Sequence, residues 1–287
     1  MNTKRSRVRK SKPTAARSKP LAPPATNLPV ASREGTPRLD IVDALRGLAI
    51  AMMIAYHFCF DVTYFGWTRW AMLDDPRWVA WRASIVASFL FLVGISLALR
   101  DARDRARGQV TAHGRGANRA FVKRWAQVAT GALGVTAGSA LLFPDTFIYF
   151  GVLHFVAVAL WLCRRAPRMG AWAIALGVVA IALGTQIHET AFDPRAVNWI
   201  GFALQKPITE DYVPLFPWLG VVLIGCGFGA LWARHMCRLS PWVSNAWQGM
   251  PRRLRAVLAT SGRWSLTIYL VHQPILFGAM SLIKPPG

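Results

Sequence analysis

The chain has 287 residues, 54% of them hydrophobic and 13 of them Trp, and its formal net charge is +21. Several apolar runs reach the roughly 20 residues that cross a hydrocarbon core, more than a soluble domain of this length needs, so composition sets a soluble fold aside. The excess cations would suit nucleic acid if they formed one patch, but they lie between the apolar runs, and no nucleic-acid partner is expected.

Residues 1–37 are rich in Lys, Arg, Ser, Pro and Ala, and their first acidic residue is Glu34. Such a stretch lacks the apolar content to build a core and is expected to be a disordered basic cytoplasmic tail. No apolar segment follows the basic residues until position 44, so the pattern is not that of a cleavable signal peptide. The remainder, 38–287, reads as one transmembrane domain. Seven spans are expected, near 44–65, 79–99, 122–143, 147–163, 171–187, 214–233 and 264–283. The segments 1–38, 100–124, 164–170 and 234–255 carry 26 of the 34 Lys and Arg, and the opposite connections carry six. Positive charge marks the cytoplasmic side, which gives an all-α, multi-pass helix bundle, N-in and C-out. Trp67, Trp70, Trp78 and Trp81 bracket the first outer loop as interfacial anchors, and a second outer loop, 188–213, carries Trp199 and Tyr212. The four cysteines have no metal-like spacing with each other or with His, so neither a metal site nor a disulfide is expected.

The first span reads D-A-L-R-G-L-A-I-A-M-M-I-A-Y-H-F-C-F-D from Asp43 to Asp61. At about 100° per residue a helix brings Asp43 and Asp61 to nearly one azimuth, with Arg46 and His57 within roughly 60° of them. Ionisable groups in a bilayer are costly and face a protein interior or a wet cavity. His57 stands about 21 Å of helix rise beyond Asp43. Asp61, one turn further, is placed to orient it as an acid/base pair; the plainer role for His57 is a structural contact between helices. Arg46, about one turn into the span, suits a phosphate or pyrophosphate entering from the inner side. It also suits an i, i+3 pair with Asp43.

Two more histidines fall in apolar spans: His154 in G-V-L-H-F and His272 in L-V-H-Q-P. With His57 they are expected to converge on one cavity, which Asp43 and Trp218 of P-L-F-P-W-L-G also line.

These motifs, in this order, resemble the bacterial DUF1624 family, related to the heparan-alpha-glucosaminide N-acetyltransferase catalytic domain among the transmembrane acyltransferases. The resemblance covers roughly residues 38–283. It implies a bacterial inner-membrane enzyme that takes acetyl-CoA from the cytoplasm and passes the acetyl group to an amino or hydroxyl group of a sugar or glycan on the far side. Arg46 would then hold donor phosphates, and His57 with Asp61 would carry the chemistry. The lysosomal relative has an Asn where His57 stands and a catalytic His in the first luminal loop. This chain has no His in that loop, so either His57 has taken on the role or the bacterial branch does different chemistry. From the residues alone, a proton-coupled transporter or flippase and a non-enzymatic membrane scaffold stand as alternatives.

Overall fold

The computed structural model describes residues 37–106 and 115–283. The expected tail, 1–37, lies outside this range except for Pro37. Among the described residues the chain is helix and turn, with one isolated bridge between Glu189 and Ala203. Eight α-helices follow one another: α1 (Pro37–Tyr64), α2 (Pro76–Ala106), α3 (Arg115–Leu142), α4 (Val152–Leu162), α5 (Ala171–Gln186), α6 (Leu215–Gly249), α7 (Arg252–Arg263) and α8 (Ser265–Leu282). Among the described residues, four stretches are long and apolar enough to cross a membrane: Asp40–Tyr64, Pro76–Ala106, Leu215–Arg234 and Ser265–Leu282. Helix α5 is apolar but has 16 residues, and α4 has 11.

Two elements differ from expectation. Helix α4 starts at Val152 rather than near 147, because 143–151 folds as turns that hydrogen-bond to the 201–214 loop. The 234–255 stretch, expected as a polar inner connection, continues α6 to Gly249 and then opens α7. One face of α7 carries Leu258, Ala259 and Gly262, at i, i+1 and i+4 of the helix, and Ala259 and Gly262 are buried.

Glycine sets how closely these helices approach. Helix α5 lies on α6 with Gly177 against Gly220, where a Cβ on either would strike the other's carbonyl. Small residues at such crossings bring backbones into dispersion contact, the main source of helix association inside a bilayer. The crossing that matters for the site is α1 with α7. A Cβ at Gly47 would collide with the Leu258 carbonyl, and one at Gly262 with the carbonyl of Asp43. Helix α7 is thereby held against the Asp43–Gly47 turn, and the chain leaves it into α8 at the same level. Gly262→Ala is expected to destabilise the fold by about 1–3 kcal/mol through overpacking. A lowered thermal midpoint in detergent would register it, whereas Gly278→Ala, where a Cβ meets nothing within 4 Å, should not lower the midpoint, alanine being the better helix former.

Candidate active site

Arg46 is one turn from Asp43 on α1, and its Nη1 donates to Asp43 Oδ1 at 2.6 Å. Its other terminal nitrogen donates to Ser96 Oγ on α2, and that hydroxyl donates in turn to the Leu92 carbonyl. The guanidinium is thus fixed on two sides. Its remaining surface faces a cavity of about 370 Å³ between α1, α2, α3, α4, α7 and α8. Arg46, Arg100, Arg124 and Arg263 line this cavity beside the single carboxylate of Asp43. Further in, the walls are apolar: Phe89, Val93, Val128, Leu153, Val156 and Leu266, with Tyr269 among them. Along α2 the lining runs from Arg100 to Phe89, about 16 Å of helix rise. The cavity is therefore a shaft, cationic at its Arg46 end and greasy along its length.

Tyr269 ties the shaft to the histidines. It is one turn before His272 on α8, and its carbonyl lies 2.7 Å from His272 Nδ1. A carbonyl only accepts, so Nδ1 carries the hydrogen and Nε2 carries the lone pair. The His272 ring meets the His57 ring at 4.9 Å between centroids, at 63°. His57 also lies edge-on to Tyr56, at 5.9 Å. One turn further along α1, Asp61 is only 1% exposed and accepts a 2.8 Å hydrogen bond from Gln273 Nε2. Asp61 Oδ2, Gln273 Oε1 and His272 Nε2 are buried without a hydrogen-bond partner. Three acceptors left bare in an apolar interior are costly unless a donor-bearing molecule reaches them.

The residues singled out from sequence fall into four places. Asp43 and Arg46 line the shaft, and His57, Asp61 and His272 share the α1–α8 contact. Asp61 accepts its hydrogen bond from Gln273, and none joins it to His57. His154 stands apart, with both ring nitrogens engaged. Its Nδ1 accepts from the Gly151 amide at 3.3 Å, and its Nε2 lies 3.0 Å from Thr136 Oγ1, which donates to the Ile148 carbonyl. It caps α4 and joins α4 to α3 rather than meeting the other two rings. Trp218 packs against the core to which α2, α3, α4 and α6 contribute and is not among the residues lining the shaft.

Sequence reasoning missed Gln273, Tyr269 and Asp211. The first two sit at i+1 and i−3 of His272, so their helical spacing was a usable signal. Asp211 had none, since it lies in an irregular loop. That loop is nonetheless ordered onto its neighbours. The hydroxyl of Tyr149 donates to Asn198 Oδ1 at 2.9 Å and that of Tyr212 to the Asn198 carbonyl at 2.6 Å. Burial and the neighbouring Tyr149 push the Tyr212 phenol up to about 12, so it stays a donor. Asp211 Oδ2 accepts from the amide of Val152, the first residue of α4, at 2.8 Å. Burial raises the Asp211 carboxyl above the usual range, while the Val152 amide, Arg82, Tyr269 and Lys206 pull the other way.

No curated protein and no solved structure matches the chain. A family model, "Heparan-alpha-glucosaminide N-acetyltransferase, catalytic", matches residues 38–274, a stretch that contains α1, the shaft and the His57–His272 contact. The chain belongs to that family of membrane acetyltransferases.

Proposed function

We propose that this protein transfers an acetyl group from acetyl-CoA, bound from the Arg46 end of the shaft, to an amino or hydroxyl group of a sugar or glycan at the Asp61 end. The observation that carries this reading is the graded lining of the shaft. Four arginines against one carboxylate suit the phosphates of a coenzyme A thioester, and the apolar walls beyond them suit its long arm. Tyr269 in the shaft wall stands one turn before His272, whose ring faces His57; neither histidine is among the residues lining the shaft. His57 takes the acceptor's proton as its nitrogen or oxygen attacks the acetyl carbon. The carbon–sulfur bond breaks, and the departing thiolate recovers the proton. Asp61, Gln273 and His272 present acceptor atoms that hold the acceptor's N–H or O–H groups.

In this reading the helices make seven crossings of a bacterial inner membrane, N-in and C-out, with the Arg46 end at the cytoplasm. The excess of cations on the Arg46 side supports that orientation. The decisive experiment incubates purified protein in detergent with radiolabelled acetyl-CoA and glucosamine as probe acceptor. Labelled glucosamine, or labelled acetate released without it, is the expected result. If acetyl-CoA is neither transferred nor hydrolysed, the proposal is wrong. A proton-coupled transporter also carries buried carboxylate and imidazole groups, but would move its substrate across vesicles without consuming the thioester.

A further inference from the structure

Asp211 is the one carboxylate that the 201–214 loop sends into the helix bundle at this site. Room for it is made by Gly151, where a Cβ would collide with the Asp211 carboxylate. On one side Asp211 accepts the Val152 amide, and on the other it meets the Tyr269 hydroxyl as a hydrogen-bond partner. Arg82 of α2 and Lys206 of the same loop are the cations that face it. Tyr269 is therefore gripped at both ends. Its hydroxyl is tied to the loop, and its carbonyl is tied to His272 Nδ1.

This grip falls where α8 is weakest. Pro274 lies inside the helix and has no amide hydrogen, so the Leu270 carbonyl loses its i+4 partner and the turn holding His272 has less backbone support. A side-chain anchor one turn earlier restores what the ladder lacks. The histidine's tautomer depends on it, because the hydrogen bond at one ring nitrogen decides what the other carries.

We infer that Asp211 is a positioning residue for the reaction: through Tyr269 it holds His272 in the tautomer whose Nε2 lone pair is buried beside His57. The 201–214 loop thus contributes a residue to the site, and its docking and the readiness of the histidine pair are one event. This rests on the acetyl-transfer reading for its consequence in turnover, but not for its effect on the imidazole.

Two readouts test it, on the full chain in detergent. Asp211→Asn keeps an oxygen for the Val152 amide, and Tyr269→Phe keeps the carbonyl and the ring. In each, kcat for radiolabelled acetyl-CoA turnover should fall by about 10- to 100-fold, the scale of a small misplacement of catalytic groups. KM for acetyl-CoA should stay within about twofold, and the double variant should lose no more than the worse single one, as expected for residues acting as a unit. Separately, nitrogen-15 spectra of labelled histidine should show His272, identified by its loss in His272→Gln, as a single Nδ1–H tautomer in the wild type and a mixture in Asp211→Asn. Gly151→Ala, which displaces the carboxylate without removing it, should reproduce that mixture. Unchanged kcat in Tyr269→Phe, or an unchanged tautomer in both Asp211→Asn and Gly151→Ala, would overturn the inference while leaving acetyl transfer intact. A tautomer that shifts in Asp211→Asn and Gly151→Ala, when the wild type itself turns over no acetyl-CoA, would instead overturn the acetyl-transfer reading and keep the positioning role.

Discussion

His57→Ala is expected to reduce acetyl transfer by at least the 10²- to 10⁴-fold that a positioned general base contributes, with the thermal midpoint in detergent little changed. The small structural cost follows from the contacts. The ring packs against Tyr56 and His272, and among the described residues no hydrogen bond anchors it to another helix. The large catalytic cost follows from the role proposed for it: its ring meets His272, one turn from the shaft-lining Tyr269, and it stands one turn before the buried Asp61. His57→Gln separates proton transfer from hydrogen bonding, since an amide fills much of the same space but does not take up a proton near neutral pH. A glutamine variant as inactive as the alanine one assigns His57 the base. If His57→Ala turns over acetyl-CoA at the wild-type rate, the imidazole is a packing group and the assignment is lost. His154→Gln is the internal contrast. It should lower the midpoint, because it disturbs the Gly151 and Thr136 contacts that cap α4, and it should affect kcat far less than His57→Ala.

Much of this architecture was legible because bilayer-scale helices write themselves in long apolar runs, and because charged residues are too costly in such runs to be accidental. Asp43, Arg46, His57 and Asp61 could be placed on one helix face by counting, and the structure does put all four on α1, facing α2, α7 or α8. Counting could not say which helix faces which. The spacing made Asp61 a natural partner for His57, but the proximity of α8 hands Asp61 to Gln273. His154 looked equivalent to His272, yet it sits at the third position after Gly151 at the start of a helix. There, satisfying an otherwise bare amide outweighs any cavity. Helix α7 was hidden for a different reason. Its four arginines read as charge between spans, and its packed face, Leu258, Ala259 and Gly262, is too short an apolar stripe to stand out among them. Asp211 was beyond reach, because a loop carboxylate gains its role only from the helix ends and the phenol that folding brings to it.

Arg46→Gln is expected to raise KM for acetyl-CoA by about tenfold or more, equivalent to about 1.4 kcal/mol of lost binding, with kcat changed much less. Binding made equally in ground and transition states appears in KM, and phosphates far from the reacting carbon are held in that way. The variant alone is ambiguous, since removing the guanidinium also strands Asp43 in a half-buried position. A stranded carboxylate would destabilise the protein and repel the donor's phosphates. The pair Asp43→Asn and Asp43→Asn/Arg46→Gln resolves this. If Arg46 serves only to neutralise Asp43, the double variant should bind acetyl-CoA as well as the wild type, because neither charge remains to be balanced. If Arg46 holds phosphate, Asp43→Asn alone should bind at least as tightly as the wild type, having removed the one carboxylate lining the shaft, while the double variant keeps the raised KM. The effect should grow weaker in high salt, as for any phosphate contact reached by solvent. A double variant with wild-type KM would return Arg46 to the role of a helix-end counter-ion, and would move the donor site away from this end of the shaft.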